Sequence, residues 1–345
     1  MPYFTDRLKE VVAVDLSTTN WRDALRATVV TGAICLVPVL QGHPEIAVPL
    51  SMGAIFTAAT EAGQPYGARW RTMLWSTAAM MGATLLGQLV SDSPILAIAV
   101  TAPVAFLAGS IGTFGKRSAI GGVLALVLFS IYVGHPAPVV DAPTSALLVG
   151  LGGFIQTIAV VADSLLRRRP TSATPAVEST HRNWDPVFLR HGARLAVLMV
   201  IATAISEHLS VPHPYWLPVS VAWMSLPDRN GTVTRVFARL TGTIVGLIVV
   251  AVLAFVFTPS LLGFLVISLL GAGIKITLIK ANYALGVCGA TIKIVALLAL
   301  LGDPIVTTMD MRLLATVAAA FLIVAGFMIP QAVSRQRRGP QSATT

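Results

Sequence analysis

The sequence predicts an all-α polytopic membrane protein with about twelve transmembrane helices. Of its 345 residues, 55% are hydrophobic and only 11% are charged, and the mean hydropathy is +0.79. A soluble domain carries about 25% charged residues, so this chain does not have enough polar surface to face water on all sides. Its apolar runs are continuous rather than alternating, which favours transmembrane helices over a β-barrel.

Twelve apolar segments divide the chain. A transmembrane helix needs about 20 apolar residues, and the second and eighth segments are the shortest of the set. Elsewhere each segment is long enough to cross, or nearly cross, a bilayer. The segments are 24–41, 46–60, 70–90, 94–113, 118–134, 143–165, 191–207, 215–227, 235–257, 260–279, 283–301 and 311–331.

Basic residues concentrate on one side of these predicted spans. The loops that follow odd-numbered spans carry acidic residues, whereas the alternate loops and both chain ends carry most of the Lys and Arg. The positive-inside rule therefore places both termini in the cytoplasm. The net charge of +9 is mainly a topology signal, and it favours contact with anionic lipid headgroups over nucleic acid.

The charge pattern and the polar break after residue 166 predict two six-helix repeats. Six is an even number, so both repeats enter the membrane with the same orientation and are parallel, related by a pseudo-two-fold axis along the membrane normal. The predicted parts are a cytoplasmic amphipathic segment (1–23), the first repeat (24–166), a cytoplasmic linker (167–184), the second repeat (185–332) and a basic cytoplasmic tail (333–345).

The shortest segment of each repeat is interrupted by proline at a corresponding place. Residues 43–49 and 213–218 both begin with His-Pro and end with Pro, 170 positions apart. Pro49 and Pro218 each remove a backbone donor, and the freed carbonyls or half-helix ends could hold a ligand. The alternative is a re-entrant corner that serves packing alone.

Aromatic residues occur only in the second of these interrupted segments. Tyr215 and Trp216 stand three and two residues before Pro218. They are either a stacking surface for a ligand or part of the aromatic belt that Tyr and Trp form at membrane interfaces.

Two pairs of arginines follow the interrupted segments. Arg69 and Arg71 come after the first, and Arg235 and Arg239 after the second, where their i, i+4 spacing puts both on one helix face. A guanidinium is always charged and binds carboxylates through two parallel hydrogen bonds. The four are candidates for a positive ring that captures anions at the cytoplasmic mouth, or alternatively for anchors to lipid headgroups.

Lys293 is the most conspicuous single residue, since it lies near the middle of an apolar segment. A charge at that depth costs about 2.5–3.5 kcal/mol on insertion scales, so Lys293 is a candidate for substrate binding and for proton coupling. Lys275 lies closer to a segment end and is interpreted as a lysine that snorkels to the interface. His43 and His213 are weaker candidates for proton coupling, with a structural turn as the alternative.

We expect neither a cofactor nor a metal centre. Cys35 and Cys288 lie within apolar segments and offer no disulfide or metal framework. Motifs for zinc proteases, phosphate loops and nucleophile elbows do not occur in the sequence, which argues against an enzyme.

The second repeat resembles the fusaric acid resistance and aromatic acid exporter superfamily, and distantly the plant aluminium-activated malate transporters. The resemblance rests on Tyr215–Val221, Pro227, Thr232–Arg235 and Arg239–Gly246, with the pattern Arg-x-x-Gly-Thr-x-x-Gly, and a looser match extends it over the first repeat. Membership implies two six-span halves and efflux of aromatic or other hydrophobic carboxylates, sometimes with a periplasmic adaptor protein.

These observations predict an efflux transporter in the bacterial inner membrane for small organic anions, driven by the proton gradient. The first alternative is a passive organic-anion channel with the same basic pore, and the second is a membrane scaffold that transports nothing. Assembly into a homo-oligomer is compatible with each of the three.

Overall fold

The computed structural model describes residues 11–61, 66–135, 141–167, 184–256 and 260–337. All regular secondary structure within these ranges is helical, with twelve α-helices. The first six are α1 (Trp21–Leu40), α2 (Pro44–Thr60), α3 (Tyr66–Val90), α4 (Pro94–Ser110), α5 (Lys116–Val133) and α6 (Ala142–Leu166). The second six are α7 (Pro186–His208), α8 (Trp216–Met224), α9 (Arg229–Val256), α10 (Leu261–Leu278), α11 (Tyr283–Leu300) and α12 (Ile305–Arg337).

Ten of these helices are long and apolar enough to cross a membrane, so the chain is a multi-pass membrane protein. The prediction of an all-helical membrane fold is confirmed. Of the roughly twelve predicted spans, ten correspond to described helices that are long and apolar enough to cross a membrane. The two exceptions are α2, with 17 residues, and α8, with nine. They are the two segments that the sequence shows as shortest.

Helices α2 and α8 are enclosed by other helices. Every residue from 49 to 58 in α2 is buried, and so is every residue of α8 except the half-buried Trp223. A helix with no exposed face has no need for a polar stripe, which explains why both segments are apolar all round. Pro218 lies in the first turn of α8, where its missing N–H costs no helical hydrogen bond, whereas Pro49 lies inside α2.

Glycine allows α2 to lie directly against α6. A Cβ atom on Gly53 would stand 1.9 Å from the carbonyl oxygen of Val149, and one on Gly152 would stand 2.1 Å from that of Leu50. Any larger residue at either position would push the two backbones apart. This contact fixes α2 in the interior of the first six helices.

The two sets of six helices share their main packing pairs. In the first set, α2 packs on α1 and α6, and α3 packs on α5 and α6; in the second, α8 packs on α7 and α12, and α9 packs on α11 and α12. Between the sets, α4 packs on α7 and α10 packs on α1. These pairs are compatible with two parallel repeats, and the repeats and the cytoplasmic position of both termini remain predictions.

Most of the predicted non-membrane parts lie outside the described residues: 1–10 of the amphipathic segment, 168–183 of the linker and 338–345 of the basic tail. Residues 11–15 are described and lie against the connection between α10 and α11. The side-chain amide of Asn282 donates to the carbonyl oxygens of Val11 at 2.7 Å and Ala13 at 2.8 Å. Asp15 N–H donates to the carbonyl of Ala281 at 3.0 Å, so this segment is held at the end of α11.

Replacing Asn282 by alanine should release this segment and weaken the start of α11. The change removes both bonds to residues 11 and 13, as well as the helix cap in which Asn282 Oδ1 accepts from Leu285 N–H. We expect a loss of about 1–2 kcal/mol in the free energy of unfolding. Thermal unfolding in detergent and limited proteolysis near residue 15 measure the two effects, and unchanged proteolysis would contradict the proposed contact.

Candidate functional site

Small residues bring α9 against α11. A Cβ atom on Gly242 would lie 2.2 Å from the carbonyl oxygen of Ala284, and one on Gly246 would lie 2.8 Å from that of Cys288. Arg239 precedes Gly242 by one turn, so this close packing carries its side chain to the start of α11, beside Tyr283. The Gly-Thr-x-x-Gly pattern of the sequence thus positions a basic residue in the interior.

Four basic side chains meet inside the second set of six helices, one from each of α9, α10, α11 and α12. Arg239, Lys293 and Arg312 are only 3%, 7% and 5% exposed, and Lys275 is half-buried. The positive charges of the other three all act on Lys275, and that of Arg239 acts on Arg312. We call Arg239, Lys275, Lys293 and Arg312 the cation cluster.

The cation cluster has no internal counter-charge in the part of the chain that the structure describes. None of its four members forms an ion pair with a described carboxylate, and the Nε atoms of Arg239 and Arg312 are buried without a described hydrogen-bond partner. Buried charges in proteins are ordinarily paired, because an unpaired one is strongly destabilising. An arrangement of this kind favours the entry of a negatively charged ligand.

Aromatic rings and one hydroxyl group surround the cation cluster. The Arg312 guanidinium lies 5.4 Å from the centre of the Trp216 ring, and Lys293 Nζ donates to Ser51 Oγ of α2 at 3.3 Å. Lys275 Nζ lies 4.7 Å from the centre of the Phe56 ring of α2. The two buried helices therefore supply the walls around the cluster, and cations over ring faces are stabilised by about 0.5–2 kcal/mol each.

The predicted arginine pairs differ in their surroundings. Arg69 lies in a network of ion pairs, in which its NH1 atom is 2.6 Å from Glu61 Oε1 and 3.0 Å from Asp23 Oδ2. Arg26 pairs with the same Glu61 Oε1 at 2.5 Å and with Asp163 Oδ2 at 3.0 Å. Arg69 thus has carboxylate partners within the chain, unlike the members of the cation cluster. We call Asp23, Arg26, Glu61, Arg69 and Asp163 the ion-pair network.

The other two arginines predicted to form the cytoplasmic mouth, Arg71 and Arg235, lie nearer the surface. Arg71 is exposed and its guanidinium lies 5.3 Å from the centre of the neighbouring Trp70 ring. Arg235 lies over the Tyr283 ring at 4.4 Å, so it is next to Arg239 at the end of the cation cluster. The four predicted arginines therefore differ in burial and in contacts, and the ring at the mouth remains a prediction.

Sequence reasoning found Arg239 and Lys293 but missed Lys275 and Arg312. Lys275 points inward onto aromatic rings, which corrects its interpretation as a snorkelling lysine. Arg312 had a usable signal, since it is a basic residue on the acidic side of the predicted topology. No group of three or more His, Cys, Asp or Glu side chains that could hold a metal ion occurs in the described ranges.

His213 belongs to a contact group next to the cation cluster. Its Nε2 atom is 3.2 Å from Asp303 Oδ2, and its ring stacks on Trp216 with centres 4.9 Å apart. With Nε2–H donating to Asp303, Nδ1 can accept from the Tyr215 hydroxyl at 3.2 Å. The backbone of His213 has φ +54°, an uncommon left-handed conformation for a residue other than glycine. His43, in contrast, is exposed and contacts the exposed Glu45.

The stability of the protein should fall in acid because of His213. Burial lowers the pKa of His213 below its usual range, and the charge of Asp303 offsets this only in part. The unfolded chain therefore takes up the proton more readily, so stability is complete above about pH 6.5 and declines as the pH falls below it. His213→Gln should flatten this decline in thermal unfolding measured between pH 7.5 and 5, whereas His43→Gln should leave it unchanged. An unaltered profile in His213→Gln would contradict this role.

Comparison with known proteins finds one matching family. Residues 201–326 match the family described as "Fusaric acid resistance protein-like". This part of the chain is similar to the fusaric acid resistance-like family. The match contains the whole of α8 to α11 and all four members of the cation cluster. The resemblance predicted from the Trp-Leu-Pro and Gly-Thr-x-x-Gly patterns is confirmed, although the matched region is the second half rather than the whole membrane part.

The curated proteins that the chain matches are distant. The Neisseria gonorrhoeae protein ORF2 is 28% identical over 140 residues, which is 41% of this chain and 33% of the relative. The Escherichia coli inner membrane protein YccS is 26% identical over 125 residues, which is 36% of this chain and 17% of the relative. Escherichia coli YhfK is 29% identical over 136 residues, which is 39% of this chain and 19% of the relative. The chain thus aligns with a third or less of each relative's length. No solved structure matches it.

Proposed function

We propose that the chain is an inner-membrane transporter that exports small organic anions, with aromatic or hydrophobic carboxylates as its substrates. The observation that carries this proposal is the cation cluster, since three buried basic side chains and the half-buried Lys275 lack a described carboxylate partner. The match of residues 201–326 to the fusaric acid resistance-like family and the name of the inner membrane protein YccS support the membrane and the transport class.

The binding free energy of an anion is most favourable where several positive charges lie close together and water is excluded. Electrostatic attraction is stronger in a low-dielectric interior than in water, so a carboxylate that reaches the cluster replaces repulsion among four cations by attraction. Arg239 and Arg312 retain unused Nε donors, which suit the forked binding of a carboxylate. Lys275 and Lys293 add point charges that tolerate different ligand shapes.

The anion would approach past the basic ends of α3 and α9. Arg235 is next to Arg239 at the end of the cation cluster, while Arg71 adds exposed positive charge. Arg69 would contribute when a ligand carboxylate takes the place of Asp23 or Glu61 in the ion-pair network. In this proposal the four arginines have different roles in the approach of the anion.

We further propose that anion transport is coupled to proton movement through His213, which lies at the Arg312 end of the cation cluster. The His213 ring stacks on the Trp216 ring, and the Arg312 guanidinium lies over the same Trp216 ring. Trp216 therefore contacts both His213 and a member of the cation cluster. Protonation of His213 would add a positive charge there and strengthen its pair with Asp303. A proton taken up at this position would therefore change the electrostatic environment of the anion.

Flux measurements in proteoliposomes test the function and separate it from its alternatives. Vesicles loaded with benzoate should release it faster with the protein than without, and an imposed pH gradient should change the initial rate at zero membrane potential. A flux that follows voltage alone and ignores the pH gradient would indicate the passive channel. A rate equal to that of protein-free vesicles, under both conditions, would indicate the scaffold.

A further inference from the structure

Two aromatic rings connect the two buried helices at the site. Phe56 comes from α2 in the first set of six helices and Trp223 from α8 in the second. Their ring centres are 6.2 Å apart and the planes meet at 71°, an edge-to-face contact. Because α2 and α8 belong to different sets, this contact joins the halves of the molecule beside the cation cluster.

One member of the cation cluster covers both rings. Lys275 Nζ lies 4.7 Å from the centre of the Phe56 ring and 5.8 Å from that of Trp223. Lys275 has no described carboxylate partner, so the negative ring faces are its main source of stabilisation. The ammonium group therefore occupies a place that a flat apolar ligand could also occupy.

We propose that Phe56 and Trp223 form the subsite for the ring of an aromatic carboxylate, and that Lys275 is the specificity-determining residue that opens it. The inference rests on the proposed function, since it concerns which organic anions the site prefers. It adds a selection step that neither the family match nor the cation cluster supplies.

The selection follows from competition for the Lys275 ammonium. A ligand carboxylate forms a charge-assisted pair with Lys275 that is stronger than a contact with a ring face. When Lys275 turns to the carboxylate, its place over Phe56 and Trp223 becomes free. An aromatic ligand ring can then make offset or edge contacts with both side chains, whereas a saturated ring makes only ordinary apolar contacts. One such aromatic contact corresponds to about two- to tenfold, so two contacts predict a preference of roughly five- to 150-fold for the aromatic ligand.

A matched ligand pair isolates this effect. Benzoate and cyclohexanecarboxylate have the same carbon count and the same charge, and differ in ring aromaticity. We expect the wild-type protein in proteoliposomes to transport benzoate roughly five- to 150-fold faster at subsaturating concentration. Phe56→Leu and Trp223→Leu should each lower this ratio about two- to tenfold and keep cyclohexanecarboxylate flux within about twofold of wild type, because each removes one ring face and keeps an apolar wall.

The control variant is Phe114→Leu. Phe114 and Trp184 form another edge-to-face pair, with ring centres 5.1 Å apart and the same 71° between planes, and neither belongs to the described surroundings of the cation cluster. The benzoate preference should be unchanged in Phe114→Leu. Lys275→Met should lower the flux of both ligands at least tenfold, and Lys275→Arg should restore both in part, because a cation is needed to hold either carboxylate.

The outcomes distinguish this inference from the proposed function. Cyclohexanecarboxylate flux shows that each ring variant is folded and inserted. If the benzoate preference is undiminished in both Phe56→Leu and Trp223→Leu, or if the wild-type protein shows none, the subsite is wrong while anion transport stands. If the wild-type protein transports neither carboxylate above the protein-free rate, the proposed function fails as well.

Discussion

Replacing Lys293 by methionine should slow organic-anion transport at least tenfold and at the same time raise the thermal stability of the protein. Lys293 lies inside α11 among buried residues, and the only described hydrogen-bond partner of its ammonium group is the Ser51 hydroxyl. Without the ammonium, the ligand loses a charge-assisted contact of about 1.5–3 kcal/mol, equivalent to roughly 10- to 100-fold. The folded protein gains stability because it no longer holds an uncompensated charge. Initial flux rates and unfolding midpoints measure the two effects.

Two control variants limit the interpretation. Lys293→Arg retains the charge and should keep more transport than Lys293→Met. Arg190→Met removes an exposed cation at the start of α7 and should leave both quantities within error of wild type. A Lys293→Met protein that is less stable and transports normally would show that this lysine has a packing role and no ligand role.

Replacing Glu61 by glutamine should destabilise the protein by about 3 kcal/mol. Glu61 directly follows the last residue of α2, and its side chain is only 4% exposed and contacts both Arg26 and Arg69. Removing one partner from a buried ion pair leaves the other charge uncompensated, which usually costs about 3–5 kcal/mol. The lower end of that range is expected because Asp23 remains paired with both arginines and Asp163 with Arg26. A fall in the unfolding midpoint in detergent measures the effect.

Glu45→Gln is the matched control for this change. Glu45 also lies in α2 and pairs with a basic side chain, His43, but the two are 64% and 62% exposed. Exposed pairs contribute about 0–1 kcal/mol, so the midpoint should hardly move. Equal stability losses in Glu61→Gln and Glu45→Gln would mean that the ion-pair network contributes no more than a surface contact.

The sequence was most informative where a physical constraint acts within one helix. The length and continuity of the apolar segments predict all twelve helices, because each must satisfy its own backbone in lipid. The same reasoning identifies the second and eighth segments as exceptional, and identifies Lys293 because no other part of its segment is charged. These features depend on local sequence alone.

What could not be predicted depends on contacts between distant segments. Arg69 and Arg239 are the same residue type in comparable positions, but Arg69 meets Asp23 of α1 and Glu61 of α2, whereas Arg239 meets other cations. The direction of Lys275 likewise follows from rings on α2 and α8. Sequence spacing within one helix contains no information about such partners, so the pairing of charges had to come from the structure.

The contact between Asn282 and residues 11 and 13 has a consequence for biosynthesis. Val11 and Asn282 are 271 positions apart, so their contact cannot form until the ribosome has synthesised the 271 residues that follow Val11. At about 5–20 residues per second, that delay is roughly 15–55 s. During this time Val11, which finally packs against Ala238 and Ala284, has no place to bury its side chain. The start of α11 must therefore be synthesised before residues 11 and 13 can bind Asn282. The formation of this contact is one of the last steps of folding.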